Sequence, residues 1–276
     1  MSRSTQLKED GNRRFQSGDF AGADSLYSQA ILADPKSPAL YTNRAMARLK
    51  LRLWDSVIAD CNTCLALADP NNMKAHYYLA QAQLAIGDYD AALANALRAH
   101  AECVAANDRS LAAITAIVLR CKHDRWLDRD RRRRREAQDL ERDLLDLLDR
   151  TRDDMLAGAA DDDADDDVER DAIRDEYRQK AARLRDVFER AREQSERPRQ
   201  VPEWAIDDIS FGMLVDPVIT KTGKSYERAS IMEHLRRHPS DPLTREPLLP
   251  SDLRPNLALR QACEEFLEEN GWAVDW

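Results

Sequence analysis

The sequence predicts a mainly α-helical protein that carries a small α+β module at its C-terminal end. Three observations support this fold class. A helix-turn-helix pattern recurs within the first 105 residues. Two charged, amphipathic stretches then flank an acidic tract, which predicts a long helical hairpin. After residue 200, short apolar runs broken by Pro and Gly predict a strand hairpin followed by helices. We therefore predict domains at residues 1–105, 106–200 and 201–276.

The composition fits two modest cores and a solvated connector better than one large globule. Of the 276 residues, 34% are charged and 43% are hydrophobic. The net charge of −9 argues against nucleic acid and anionic membranes as partners, because most of the surface would repel them. Neither a secretory signal nor an apolar run long enough to span a membrane is visible. We expect a cytoplasmic protein, with the nucleus as a second location.

The N-terminal part repeats at intervals of 34 and 35 positions. Small residues, which allow two helices to approach closely, recur at Gly11, Ala45 and Ala80. Turns fall at Gly-Asp and Asp-Pro pairs, where proline cannot continue a helix. A helix-turn-helix unit of this length is the period of the tetratricopeptide repeat, and about three units form a stable stack. Residues 110–127 carry an apolar helical face that is expected to cap the stack.

The five cysteines do not indicate a disulfide framework, because they are scattered and odd in number. Cys61 and Cys64 have a spacing that also occurs in zinc and redox sites. Both fall at packing positions of the second repeat, however, and no second Cys or His pair lies at ligand spacing. We expect core packing, reduced thiols, and neither a metal nor another cofactor.

Polar residues on the first helix of each repeat are candidates for ligand binding, because these helices line the concave surface of such a stack. The candidates are Lys8 and Asn12 in the first repeat, Asn43 in the second, and Lys74 and Tyr77 in the third. Two ammonium groups and two amides in one groove can neutralise carboxylates and donate hydrogen bonds to them. The hypothesis is an anionic ligand. The alternative is that these side chains are simply solvated.

The segments at residues 7–12, 41–45 and 74–77 resemble the carboxylate-clamp tetratricopeptide domains. That resemblance implies that the two lysines and two asparagines hold the C-terminal Glu-Glu-Val-Asp tail of the seventy- and ninety-kilodalton heat-shock chaperones. It also implies that Tyr77 packs on the valine of the tail. An acidic residue that the family uses early in the capping helix has no counterpart here, and Asp108 is a shifted candidate for it.

The connector is predicted as an antiparallel hairpin of two amphipathic helices. Its apolar stripes consist of Leu140, Leu144, Leu147 and Leu148 on one helix and Ile173, Tyr177, Ala181, Leu184 and Phe188 on the other. Gly158 and the acidic residues 161–167 lie between them and predict a loosely ordered tip. The stripes exceed what one hairpin can bury, which indicates a homodimer. The arginines at 131–135 could serve nuclear import or nucleic acid, but their acidic surroundings favour a solvated helix face.

Residues 201–276 predict a loop, a strand hairpin turning at residues 222–224, a helix, a proline-bounded loop at 241–248, and a last helix. That last helix begins after Asn256 and runs to Gly271. With Cys263 as the one cysteine of this module, the eight ligands of a two-zinc RING are absent. Any brace between its loops must therefore be hydrogen-bonded. Cys263 itself falls on an apolar helical face and is expected to pack in the core.

Residues 209–211, 216–218, 226–228, 241–245 and 255–259 together resemble the U-box, a RING-like fold that binds no metal. A U-box preceded by clamp repeats resembles the family of co-chaperone ubiquitin ligases typified by the carboxyl terminus of Hsc-interacting protein. The resemblance extends over nearly the whole chain and is weakest in the connector.

The resemblance implies a site for a ubiquitin-conjugating enzyme. Ile209, Phe211 and Met213 in the first loop and Pro242 in the second are expected to form an apolar groove. Arg245 is expected to hydrogen-bond both the enzyme and its thioester-linked ubiquitin, since a guanidinium can bridge two partners. A RING-type ubiquitin transferase needs no nucleophile of its own, because it acts by orienting the thioester towards a client. The alternatives are a chaperone adaptor with an inactive U-box and a spliceosomal U-box protein, which the repeats and acidic charge do not support.

Overall fold

The structure is a computed structural model of the chain, and it describes residues 2–67, 70–158, 165–195 and 200–275. The chain divides into two compact units. One unit combines Met1–Leu127 with Val201–Trp276, and the other is Asp128–Gln200. The predicted fold class, mainly α with a small α+β module, is confirmed. Within the described ranges, no helix is both long enough and apolar enough to cross a membrane.

The repeats form six antiparallel helices. These are α1 (Arg3–Gln16), α2 (Phe20–Ala33), α3 (Pro38–Lys50), α4 (Trp54–Leu67), α5 (Met73–Ile86) and α6 (Tyr89–Ala105). Side chains cap several of their N-termini, among them Asp19 on α2 and Asn72 on α5, which satisfies N–H groups that lack a partner within the helix. Each helix packs on the next, and α3 also contacts α5. The first helix of each repeat therefore lies on one common face.

Small residues set the close packing inside the repeats. A Cβ atom at Gly11 would lie 2.6 Å from Cε1 of Tyr27, so only glycine allows α1 to approach α2 this closely. Cys61 and Cys64 are fully buried in the core of the second repeat, which confirms the packing interpretation of their spacing. Burial raises the pKa of the Cys64 thiol. The thiols are therefore inert packing groups at neutral pH.

A buried carboxylate ties α3 to its neighbours. Asp60 on α4 is 3% exposed and accepts hydrogen bonds from Arg44 at 2.6 and 2.9 Å and from Arg48 at 3.0 Å. Arg48 also donates to Asp24 on α2 at 2.6 Å. Because two guanidinium groups share one buried acid, its desolvation is compensated. The network fixes the orientation of α3, which carries one of the candidate ligand-binding residues.

The helix that follows, α7 (Leu111–Gly158), is continuous over 48 residues. The sequence suggested a capping helix up to residue 127 and a separate hairpin helix after it. The two are joined because the run from Leu111 contains no proline, and its one glycine is the last residue. The first part of α7 caps the repeats as expected, since Ile114 and Val118 are buried against α5 and α6.

The second unit contains the rest of α7 and α8 (Asp165–Ser195). The two helices run antiparallel, with an ion pair of 2.7 Å between Glu141 and Arg192. Among the described residues of this unit, five large apolar side chains are exposed: Leu140, Leu147, Met155, Val168 and Val187. Arg133 and Arg134 pair with Asp130 at 2.5 and 2.8 Å, as expected for a solvated helix face. Of the predicted acidic tip, residues 161–164 lie outside the described residues, and the remainder begins α8.

The C-terminal module is built on a three-stranded antiparallel sheet. Its strands are β1 (Pro217–Ile219), β2 (Ser225–Glu227) and β3 (Arg254–Pro255), in the order β2-β1-β3. Its helices are α9 (Arg228–Arg237) and α10 (Leu257–Glu269). The Asn256 side chain accepts from the Leu259 N–H at 3.1 Å and caps α10 as predicted. The helix ends at Glu269, two residues earlier than expected, and a short 3-10 turn (Gly271–Asp275) follows.

The capping part of α7 also contacts the C-terminal module, which explains why the two share one compact unit. The Trp126 indole N–H donates to the Glu269 carbonyl at 2.9 Å. Val215 lies in the same buried cluster as Val118 and two alanines of α6, Ala92 and Ala96. A Cβ atom at Gly271 would lie 2.3 Å from Cβ of Trp126. Glycine at this position therefore allows the chain to pass over the indole.

We expect Gly271→Ala to lower the free energy of unfolding by about 1–3 kcal/mol, because the added methyl must displace Trp126 or the backbone. Gly212→Ala is the matched control, since a Cβ there meets only Ser210 Oγ, at 3.6 Å. Thermal unfolding of the whole chain measures both. Equal melting temperatures for the two variants would contradict the close contact with Trp126.

Candidate functional site

Two of the predicted ligand-binding residues touch each other across the inner face of the repeats. The Asn43 side chain donates a hydrogen bond from Nδ2 to Oδ1 of Asn12 at 3.3 Å. Both side chains are half-buried. The same Asn12 oxygen accepts from the Tyr27 hydroxyl at 2.8 Å. The first and second repeats thus bring their amide groups to one point, as the clamp hypothesis requires.

The two predicted lysines flank this point along the inner helices. Lys8 lies one turn before Asn12 on α1, and Lys74 is exposed in the first turn of α5. Within the described part of the chain, neither ammonium group forms a salt bridge or a hydrogen bond. Both are therefore free to pair with an anionic ligand.

An acidic residue also lies near the third repeat. Asp108 precedes α7, and its Oδ1 accepts from the Ser110 N–H at 2.8 Å. The hydrogen bonds from Ser110, followed by the positive charge of Lys74, lower the pKa of this carboxyl. Asp108 is therefore ionised at neutral pH, and it interacts electrostatically with Lys74.

Tyr77 is half-buried at the end of the row of candidates. It packs against the buried cluster of Cys103 and Ile114, and its ring centroid is 5.8 Å from that of Tyr78. Burial raises the pKa of its phenol, which stays neutral at physiological pH. The exposed part of the ring is available to an apolar side chain of a ligand.

In the C-terminal module, the first loop presents Phe211 to solvent. The phenylalanine is 73% exposed and has a φ of 57°, in the left-handed region that bulky residues rarely adopt. Asp207, fully buried, holds this conformation. Its Oδ2 accepts from the Ser210 N–H at 2.9 Å and the Ser210 hydroxyl at 2.7 Å, and its Oδ1 accepts from the Glu227 N–H at 2.9 Å.

The second loop is braced in the same manner by Asp241, which is 1% exposed. Its Oδ1 accepts from the Leu243 N–H at 2.9 Å and the Tyr226 hydroxyl at 3.0 Å, and its Oδ2 accepts from the Thr222 hydroxyl at 2.9 Å. Burial acts to raise the pKa of this carboxyl, but the hydrogen bonds outweigh burial and the pKa is lowered. The brace is therefore ionic at neutral pH.

Three of the predicted enzyme-contacting residues lie on the surface of these two loops: Phe211, Pro242 and Arg245. Arg245 has a φ of 61° and forms no ion pair with the described residues. Leu243, which the sequence reasoning missed, is 62% exposed beside Pro242. The sequence offers no clear signal for it, because Leu248 also follows a loop proline and is fully buried.

The other two predicted residues lie deeper. Ile209 is half-buried against the cluster that contains Ile231 and Leu248, so it joins the first loop to α9 and the second loop. Met213 was expected in the surface groove, but it is only 3% exposed. It pairs with Ile206 in an antiparallel bridge and packs in the core. Met213 thus supports the first loop from inside.

Neither a metal centre nor a reactive thiol is found in the described part of the module. No group of His, Cys, Asp and Glu among the described residues could hold a metal ion, and His234 Nε2 is hydrogen-bonded to the Ser240 carbonyl at 2.9 Å. Cys263 is 1% exposed, and burial raises its pKa to about 11. A thiol in this state is a poor nucleophile.

A third buried carboxylate, Glu227, joins β2 to the end of the first loop. Its Oε2 accepts from the N–H groups of Val215 at 2.8 Å and Asp216 at 2.9 Å, while Oε1 has no partner among the described residues. Burial raises the pKa of this carboxyl to about 7, although the two hydrogen bonds lower it. The folded module therefore binds a proton here more tightly than the unfolded chain does.

This raised pKa predicts a pH-dependent stability. The contribution of Glu227 is fully present below its unfolded pKa of about 4.5 and is lost as the pH rises through about 7. Between about pH 5.5 and about pH 7.5, we expect the natural chain to lose about 1–2 kcal/mol more stability than Glu227→Gln. The glutamine keeps an acceptor for both N–H groups. Denaturant unfolding at the two pH values checks this, and parallel losses in both proteins would contradict it.

Comparisons with known proteins identify the C-terminal module and a relative that matches nearly the whole chain. A family model described as the U-box domain matches residues 201–272. The chain is 31% identical over 271 residues to the E3 ubiquitin-protein ligase CHIP of Arabidopsis thaliana, a match that covers 97% of this chain and 94% of that protein. It is also 45% identical over 71 residues to human sperm-associated antigen 1, which covers 26% of this chain and 8% of that protein.

One solved structure is similar to part of the chain. The chain is similar to the TPR2B-domain:pHsp70-complex of yeast Sti1, with 28% sequence identity and a TM-score of 0.41. The match covers 43% of this chain and 94% of that chain.

Proposed function

The chain belongs to the CHIP family of U-box E3 ubiquitin ligases, and from this premise we propose that it ubiquitinates misfolded clients held by heat-shock chaperones. In this proposal the repeats bind the C-terminal tail of the chaperone. The U-box binds a ubiquitin-conjugating enzyme and orients its ubiquitin thioester towards the client. The observation that carries the proposal is the pair of braced loops that present Phe211, Pro242, Leu243 and Arg245 to solvent.

Exposed apolar side chains on rigid loops support a docking site for the conjugating enzyme. Phe211 is 73% and Leu243 is 62% exposed. Each stabilises a complex when binding of the partner buries its apolar surface. The buried carboxylates Asp207 and Asp241 fix the loops before binding, which lowers the entropic cost of association. Arg245 adds a guanidinium that can bridge the enzyme and the ubiquitin attached to it.

No covalent step is assigned to the U-box. The conjugating enzyme carries ubiquitin on its own cysteine, and the lysine of the client attacks that thioester. The U-box contributes by restricting the thioester to reactive orientations, which converts a loose encounter into a positioned reaction. Arg245 is the residue we assign to this restriction, and the buried Cys263 has no part in it.

The charges of the inner repeat face support an acidic peptide as the ligand of the repeats. Neither Lys8 nor Lys74 forms an ion pair with a described residue. Lys74 interacts electrostatically with Asp108 without pairing with it. We propose that they neutralise the carboxylates of the Glu-Glu-Val-Asp tail, while Asn12 and Asn43 donate hydrogen bonds to them. Tyr77 then packs on the valine. Binding of the tail raises the local concentration of client near the U-box.

For the ligase step, we expect Phe211→Ala to impair binding of the conjugating enzyme and Arg245→Ala to impair discharge of its ubiquitin thioester. Phe211→Ala should weaken binding of the conjugating enzyme by about tenfold or more, because it removes apolar area that is exposed in the free chain and would be buried in the complex. Arg245→Ala should leave that affinity within a few-fold and reduce discharge of the ubiquitin thioester by about tenfold or more, because it removes the restriction of the thioester.

Enzyme binding by calorimetry and single-turnover discharge to free lysine separate the two effects. Lys221→Ala, an exposed change in the strand hairpin, is the control. The ligase proposal is wrong if no conjugating enzyme of a broad panel forms ubiquitin chains with the natural protein. The adaptor alternative predicts that outcome.

For the clamp, we expect Lys8→Ala to weaken binding of a peptide ending in Glu-Glu-Val-Asp by about tenfold or more, because it leaves a carboxylate without its cation. Lys50→Ala is the matched control, because Lys50 is an exposed lysine at the C-terminal end of α3 and is not one of the clamp candidates. Fluorescence anisotropy with a labelled peptide measures both affinities. An unchanged affinity for Lys8→Ala would refute the clamp.

We further propose a homodimer formed through the hairpin unit, in the cytoplasm. The exposed Leu140, Leu147 and Val187 on this unit support self-association, because exposed apolar stripes on paired helices favour a partner. Light scattering on the intact chain tests it. A mass near twice 31.5 kDa is expected, and Leu140→Glu combined with Leu147→Glu should halve it. A monomeric natural chain would contradict the proposal.

A further inference from the structure

The Tyr27 side chain is buried but ends at the ligand face of the repeats. Its ring is fully buried and packs beneath Gly11. Its hydroxyl extends from α2 to α1 and donates to Oδ1 of Asn12 at 2.8 Å. A packing residue of the first repeat thus touches a residue of the proposed clamp.

The repeat pattern indicates that the hydroxyl is not required for packing. The positions equivalent to Tyr27 in the second and third repeats are Cys61 and Ala96, both fully buried without a comparable hydroxyl. The positions equivalent to Asn12 are Met46 and Gln81. A phenol and an asparagine therefore coincide only in the first repeat, where the clamp begins.

The direction of the hydrogen bonds decides what Asn12 can offer to a ligand. An asparagine has one acceptor oxygen and two N–H donors, and a rotation of the amide exchanges them. Here the oxygen faces inward, where it accepts from Tyr27 and from Asn43. The amide nitrogen donates to no other group in the described ranges. Its hydrogens are consequently available on the ligand side.

The opposite orientation would repel the ligand. If the amide turned, its oxygen would face the carboxylate, and an acceptor would meet an anion. The hydroxyl of Tyr27 opposes that rotation, because a phenol donates more strongly than it accepts. Burial raises the pKa of Tyr27, so the donor proton stays in place at physiological pH.

We propose that Tyr27 is a positioning residue of the clamp, whose hydroxyl holds the Asn12 amide with its hydrogens towards the ligand carboxylate. Tyr27 does not touch the ligand and acts through Asn12. The inference rests on the proposed clamp and adds a residue behind it. It also assigns the polarity of the contact: the ligand group at Asn12 is a hydrogen-bond acceptor, such as a carboxylate oxygen.

The test is a double-mutant cycle on the full chain with a labelled peptide ending in Glu-Glu-Val-Asp. We expect Tyr27→Phe to weaken peptide binding by about five- to tenfold. In an Asn12→Ala background, the same change should have no further effect, because the group it positions is gone. Equal losses in the two backgrounds would indicate a merely structural role and overturn the proposal.

The matched control is Tyr41→Phe. Tyr41 is also buried in the repeats, and its hydroxyl donates to the Pro35 carbonyl at 3.0 Å, so the change removes a similar hydrogen bond outside the clamp. We expect a comparable loss of thermal stability and no loss of peptide affinity. A loss of affinity equal to that of Tyr27→Phe would overturn the proposal.

A second readout needs no variant of Tyr27. A peptide whose C-terminal carboxylate is replaced by an amide should bind the natural chain at least tenfold more weakly, and the Asn12 side-chain NH₂ resonances should shift only with the free acid. Absence of that shift would overturn the assignment of Asn12. If the natural chain binds neither peptide, the clamp itself fails. If it binds the acid but Tyr27→Phe binds equally well, only the role of Tyr27 fails.

Discussion

Buried carboxylates that accept several backbone N–H groups hold the functional surface of the U-box in place. Asp207 fixes the first loop, Asp241 fixes the second, and Glu227 joins the first to the sheet. An irregular loop leaves N–H groups without regular partners, and a buried N–H without an acceptor costs about 1–3 kcal/mol. An acidic oxygen accepts two of them at once and so replaces the organising role that a metal ion has in a RING. The exposed apolar side chains and Arg245 depend on this bracing for their orientation.

Hydrogen bonds to buried polar groups also organise the repeats. There, charged side chains differ in their pairing: Arg44 and Arg48 neutralise the buried Asp60 and fix the packing, whereas Lys8 and Lys74 form no ion pair with the described residues. In our proposal these two lysines bind the ligand. The Asn12 amide accepts hydrogen bonds from Tyr27 and from Asn43. A clamp of this kind discriminates by geometry as well as by charge, because the donors are oriented before the ligand arrives.

The periodicity of the sequence predicted most of the helices of the fold. The spacing of Gly11, Ala45 and Ala80 predicted helix pairs, because only small residues permit that approach. The loops were harder to predict. The left-handed backbone at Phe211 turns one apolar side chain outward while Met213, two residues later, points into the core. Leu243 was missed for the same reason, since polarity alone does not assign faces in an irregular loop. The continuity of α7 was hidden by a change of composition at a point where nothing breaks the helix.

The central claim is that one chain joins the chaperone tail to ubiquitin transfer, and it is tested most directly with a client bound to a chaperone. Ubiquitination of that client is compared between an intact chaperone and one that lacks its Glu-Glu-Val-Asp tail, with the ligase and the conjugating enzyme held constant. The account predicts that removal of the tail abolishes modification of the client while self-ubiquitination of the ligase continues. Equal modification of the client with and without the tail would contradict it.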